Sequence, residues 1–398
     1  MVTPAAASAI RAALPPLAPG VTIAVVIAIV GSLLIAAAFL AFVAAHWTEL
    51  ARLLRFVMLL AGILVAHGLG AWFGRDGRPV FADLCAAVGA IIFGAAIALI
   101  GQMYHLGGDF AGGMLLWAIG AFASAVLTGS RGALAVALSG ACIWTCARSL
   151  ETGDVPHFQF AVVWLIAGGL ALAWNSRVAA HLVAAAAFPW WIATVLQLNL
   201  QSAFVLADGA ALLFGTGLAF SVSRWPRASS AGAVLAAYGA FALAAAAVIE
   251  VATGNESFFF GTGNAHPLWA IACGLAGAVF AFVAAATSRR AGPAFAGGAI
   301  ALILLAGSVW PPPDTGEPWL SYALELCAML CLVVSGMLDA ARPRIVAGWL
   351  GIAGVIAGIT WAVKGSLLRR SVFLAVAGGA AVVLSTVLGR LLPRTGHD

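Results

Sequence analysis

Gln102, Tyr104, His105 and Asp109 crowd the end of one hydrophobic run, and Gly107 and Gly108 loosen the backbone between them. An imidazole and a carboxylate four residues apart can hold a proton, bind a divalent metal or anchor a helix end at a polar interface. His46 closes an earlier apolar run, with Glu49 just beyond it. Two histidines and two carboxylates could together hold a divalent cation. The spacings, His-x2-Glu and His-x3-Asp, equally suit ordinary polar residues where helices leave a membrane, so no metal or cofactor is assigned.

His67 and Asp83 flank the polar turn Gly74 to Pro79 at similar distances and should reach similar depth in an antiparallel hairpin. An imidazole beside a carboxylate would respond to protons, and ionisable groups inside a membrane are functional candidates by default. A hydrogen bond that merely fixes the hairpin is the alternative. On a helical wheel, Asp83, Ala87, Ala90, Gly94, Ala98, Gly101 and His105 share one face. A stripe of small residues lets another helix approach closely. It reads as a seam capped by a polar group at each end, or as a narrow path with a titratable group at each mouth.

Trp47 and Arg55 belong to a pattern that recurs. Trp47-x5-Leu53-Leu54-Arg55 is echoed by Trp361-x5-Leu367-Leu368-Arg369. Tryptophan at headgroup depth with arginine snorkelling beside it is an interfacial anchor. A pair of hairpins presenting cations to an anion or lipid headgroup is the sharper reading. No Walker loop, dinucleotide fingerprint, HExxH or nucleophile elbow is present, so no catalytic residue is assigned.

These groups need elements to hold them, and composition says which. The chain has 398 residues, 64% of them hydrophobic and 8% charged. Its mean hydropathy is +1.09. A soluble domain is about a quarter charged, so this chain could not clothe a soluble surface. The apolar runs are continuous rather than alternating, which favours helices over barrel strands. The expected fold is an all-α, polytopic transmembrane helical bundle. About fourteen spans are expected, at 21–45, 53–73, 81–105, 112–128, 132–149, 158–174, 178–198, 203–222, 229–252, 267–287, 293–309, 319–338, 343–363 and 371–390. The first run is too long for a cleaved signal sequence, whose apolar core is about seven to fifteen residues.

The 19 basic residues set an orientation. Thirteen of them fall at the N-terminus and in every second loop after it, so both termini are placed in the cytoplasm. A net charge of +5 without a basic cluster excludes a nucleic-acid surface. Most acids fall on or near the outer side, and Asp208 and Glu325 enter spans. All six cysteines sit in apolar runs, so no disulfide framework is expected. Pro189, before Trp190 and Trp191, should kink its helix. The loops Gly254 to Pro267 and Pro311 to Pro313 should be structured.

Three stretches, AFVAAHWTELARLLRF, GRDGRP and GAIIFGAAIALIGQMYHLGGDFAGGMLLWAIG, resemble the characteristic region of a bacterial membrane-protein family. It is numbered twenty-one fifty-seven among domains of unknown function. Gln102, Tyr104, His105, Gly108, Asp109 and Trp117 match its pattern, while His46-Trp47 stands where Asn-Trp is usual. The likeness covers roughly residues 21–145, after a short cytoplasmic segment, 1–20. Residues 146–398 match only as further spans, with no soluble domain. The resemblance implies a multi-pass protein of the bacterial inner membrane and no particular activity. The leading expectation is a transporter or flippase of a small or lipid-linked solute. The alternative is a non-catalytic accessory or scaffold. The lipid bilayer is the expected partner; protein partners are not specified.

Overall fold

The computed structural model describes residues 23–45, 50–104, 109–153, 155–197, 204–253, 267–309 and 318–362. Among them it has thirteen α-helices and no strand. These are α1 (Ile23–Ala45), α2 (Arg52–Arg75), α3 (Pro79–Met103), α4 (Phe110–Thr128), α5 (Arg131–Thr152), α6 (Gln159–Ala173) and α7 (Arg177–Gln197). They continue as α8 (Phe204–Ser221), α9 (Pro226–Thr253), α10 (Leu268–Ser288), α11 (Ala291–Ser308), α12 (Trp319–Leu338) and α13 (Arg342–Ala362). Each of the first thirteen expected spans coincides with one helix, its ends within three residues of those read from sequence. The fourteenth, 371–390, lies outside the described residues. Twelve of the helices are long and apolar enough to cross a membrane. The exception, α6, has 15 residues, about 22 Å at 1.5 Å per residue.

The helices stop for local reasons. Pro79 opens α3 and Pro226 opens α9, positions where the missing proline N–H has no intrahelical partner anyway. After α4 the chain turns at Gly129, whose φ of 66° is left-handed and suits glycine. Ala340 takes a similar conformation (φ 51°) between α12 and α13, a turn held by an ion pair described below.

The chain divides into two compact units, Met1–Ala141 and Cys142–Asp398, with the division falling inside α5. In the first unit α3 is the hub, packing on α1, α2 and α4. In the second, α8 packs on α9 and α10, α9 also on α13, and α12 on α11 and α13. Both units keep small residues inside and large apolar ones outside. Ala207, Ala211, Ala240, Ala247 and Ala281 are buried, while Leu275, Val279, Phe282 and Leu305 are exposed. In lipid the outward residues lose nothing, and close backbone approach provides the packing. Gly215 and Gly277 put the backbones of α8 and α10 in direct contact, and Gly217 and Gly239 do so for α8 and α9.

Candidate functional site

In the first unit the sequence candidates have structural partners. Asp83 accepts hydrogen bonds from the Ser130 hydroxyl and, at 3.0 Å, from the Gly132 N–H. The Ser130 oxygen in turn accepts from the Ala133 N–H at 3.0 Å. Asp83 therefore ties the start of α3 to the N-terminal turn of α5, where free N–H groups and the helix dipole favour an anion. His67 does not meet it. Its Nδ1 lies 2.9 Å from the Ile63 carbonyl and its Nε2 2.9 Å from the Ser124 hydroxyl. With a carbonyl at Nδ1, that nitrogen donates and Nε2 accepts from Ser124. The imidazole–carboxylate pair expected across the hairpin is thus replaced by two separate clamps. Equal depth is not equal azimuth: the His67 ring faces Gly89, where a Cβ would stand 2.3 Å from it.

The small-residue stripe of α3 is a seam at its centre. The Trp117 indole of α4 fills the space over Gly94, where a Cβ would stand 2.4 Å from it, and its Nε1–H donates to the Ala90 carbonyl at 2.9 Å. Asp109 caps α4, accepting from the Gly112 N–H at 2.9 Å. Gln102 and Tyr104 are exposed at the end of α3. The Nε–H of Arg55 donates to the Leu50 carbonyl at 2.9 Å. His46, Trp47, Glu49 and His105 lie outside the described residues. Among the described residues no group of three His, Cys, Asp or Glu could hold a metal ion.

The second unit holds what the linear reading did not assemble. Asp208 of α8, Glu250 of α9 and Glu325 of α12 are 2%, 1% and 0% exposed. Asp208 is in the second turn of α8, Glu250 in the last turn of α9 and Glu325 in the second turn of α12. Because successive helices run back and forth, these positions lie at the same end of the bundle. The Glu250 and Glu325 carboxyls are direct neighbours and interact with each other, with Asp208 the next charge from Glu250. Beyond that mutual approach, none of their four oxygens has a hydrogen-bond partner among the described residues. Around them stand buried Ala246, Ala247, Val251, Ala328 and Met329. Asp208 rests against Gly274 of α10, where a Cβ would stand 2.2 Å from its Oδ1.

The same helix carries a carboxylate with a fixed cation partner. Asp339, at the opposite end of α12 from Glu325, pairs with Arg344 at 2.7 Å, with the two side chains 9% and 10% exposed. Arg344 also donates to the Ser335 hydroxyl at 3.0 Å. The Asp339 carboxylate presses on Gly292 at the start of α11, where a Cβ would stand 2.3 Å away. Among the described residues Glu250 and Glu325 have no such cation.

A third group lies along α5, α6 and α7. The Cys142 and Cys146 thiols each reach α7 carbonyls, of Ala186 and Pro189, at 3.7 Å. Their i,i+4 spacing serves helix packing around the proline; all six cysteines are free. Nearby, His157 lies 3.0 Å from the Thr145 hydroxyl and stacks edge-on against Trp144.

Of the carboxyl group, Asp208 and Glu325 were legible as acids entering spans, but Glu250 read as one more outer-side acid near a helix end. Its signal was its place two residues inside the expected span 229–252. No curated protein and no solved structure matches this chain. The family match falls within the first unit and leaves the carboxyl group outside it. Residues 1–134 match the model of the family described as predicted membrane protein (DUF2157), the family whose pattern Gln102, Tyr104, Asp109 and Trp117 resemble.

Proposed function

We propose that this protein is a transporter of a small or lipid-linked solute in the bacterial inner membrane, with Glu250 and Glu325 as its ion-responsive centre. The observation that carries this reading is the pair itself: two carboxyl groups, fully buried in spanning helices, adjacent, and without a cation partner among the described residues. Burying a carboxylate away from water costs several kcal/mol unless a cation or hydrogen bonds compensate it. A protein that only had to pack would place alanine or leucine there, as it does at the neighbouring positions. Intramembrane carboxyls facing a bundle interior mark ion and proton pathways in pumps and transporters. With the termini in the cytoplasm, the pair lies near the outer face.

The scaffold alternative draws support from the first unit alone. There Asp83, His67, Asp109 and Trp117 serve as caps, clamps and seam fillers, and that unit is read as the framework.

A thermal-shift screen of the purified protein in detergent, over solutes, lipids and divalent metals, tests the transport reading. A ligand at about a hundred times its Kd adds about 2.7 kcal/mol to stability. At least one solute or lipid class should raise the melting temperature, and the rise should shrink in Glu325→Gln. Identical shifts in both proteins would remove the pair from the binding function.

A further inference from the structure

Resting on the transport reading, we infer that Glu250 and Glu325 hold one proton between them, and that this proton is the ion exchanged during the transport cycle. Every helix packed around the pair bears on the argument. Asp208 comes from α8, Cys273 from α10 and Tyr322 from α12. The described parts of α11 and α13 bring no titratable group to this end; Arg342 and Arg344 sit at the other end of α13. Among the described residues all the titratable neighbours at this end are therefore acids, so a mobile cation is the counter-charge the proposal assigns.

The oxygen count decides which mobile cation fits. Calcium takes about six to eight oxygen ligands and magnesium a near-ideal octahedron. The pair itself supplies four oxygens beside buried alanine, valine and methionine, with Asp208 the next acid from Glu250. No third His, Cys, Asp or Glu completes a metal-holding group among the described residues. A proton needs two oxygens only. One protonated carboxyl becomes a donor and its ionised neighbour accepts, forming a short charge-assisted hydrogen bond. That single bond joins the two carboxyls, which have no other hydrogen-bond partner among the described residues, and leaves one negative charge spread over both. Exchange of the proton with water at the near end of α8, α9 and α12 would then change the charge buried among three helices. This is how a local protonation can bias a bundle between two arrangements.

Infrared spectroscopy of the full-length protein at neutral pH reads this directly. The wild type should show the carbonyl band of a protonated carboxyl. Glu250→Gln and Glu325→Gln should each lose it, because the glutamine amide donates to the remaining carboxylate in the proton's place. Both variants keep the size and shape of the native side chain, and monodisperse elution confirms that they fold. A band that survives in both single variants and disappears only in the double variant would mean two independent protons and would overturn the sharing. Spectra identical in wild type and double variant would overturn protonation altogether. Sodium that abolishes the band in the wild type would assign the site to an alkali cation instead, overturning the proton and leaving transport standing. A shared proton in a protein whose core never opens to water would do the reverse.

Discussion

Gly277→Leu should yield no folded protein. A Cβ on Gly277 would lie 2.2 Å from the Ala211 carbonyl oxygen, and one on Gly215 would lie 2.0 Å from the Gly277 carbonyl oxygen. The clash is with backbone on both sides, so no rotamer relieves it. Overpacking in an ordinary core costs about 1–3 kcal/mol because side chains yield; here α8 and α10 must separate, and with them the helices that carry Asp208 and Gly274. Gly298 of α11 provides the control. Nothing lies within 4 Å of a Cβ placed there, so Gly298→Leu should express and elute as the wild type does. Size-exclusion profiles of the two variants in detergent check the contrast. Normal elution of Gly277→Leu would mean that the α8–α10 contact is looser than described.

Arg344→Met should destabilise the second unit almost as severely. It removes the cation from Asp339 and leaves the carboxylate pressed against Gly292 and the start of α11. Breaking one partner of a buried ion pair costs about 3–5 kcal/mol, whereas removing both is often neutral. The double variant Arg344→Met/Asp339→Leu should therefore recover much of what the single variant loses, measured as melting temperature in detergent. Equal melting of the single variant and wild type would make the pair a surface contact. The two ends of α12 then behave oppositely. At Asp339 the fold supplies a fixed counterion; at Glu325 the proposal requires a mobile one, and conservative glutamine replacement there should leave folding intact.

The spans were legible because a run of about twenty apolar residues has few alternatives in lipid, where every backbone group must be bonded within the segment. Trp319–Leu338 is found at both ends where the sequence placed it. Proline and glycine marked the breaks, as at Pro79 and Gly129. The polar residues were harder. Asp109 and Asp83 were visible as carboxylates near helix ends, but capping depends on which N–H groups a neighbouring turn presents. Ser130 and Gly132, almost fifty residues from Asp83, supply them. His67 matched Asp83 in depth, yet its partner is Ser124 on another helix. The carboxyl pair illustrates the limit most clearly. Glu250 and Glu325 are separated by two helices, α10 and α11, and their meeting depends on how α9 packs on α12, which no local pattern encodes. What the sequence does show is the oddity of each acid alone: a carboxyl in an apolar run with no basic residue one helical turn away.

The central claim is that the centre formed by Glu250 and Glu325 opens to water during a transport cycle. Its most direct test places a single cysteine at Ala247, which is fully buried one turn deeper than Glu250, in an otherwise cysteine-free protein. Intact cells are then treated with a small membrane-impermeant thiol reagent while external pH and solutes are varied. Transport predicts that this cysteine reacts in at least one condition, and that Ala90→Cys in the α3 seam stays protected in all of them. Protection of the Ala247 position under every condition, in protein that folds and reaches the membrane, would contradict the claim and leave a buried carboxyl pair with a purely structural role.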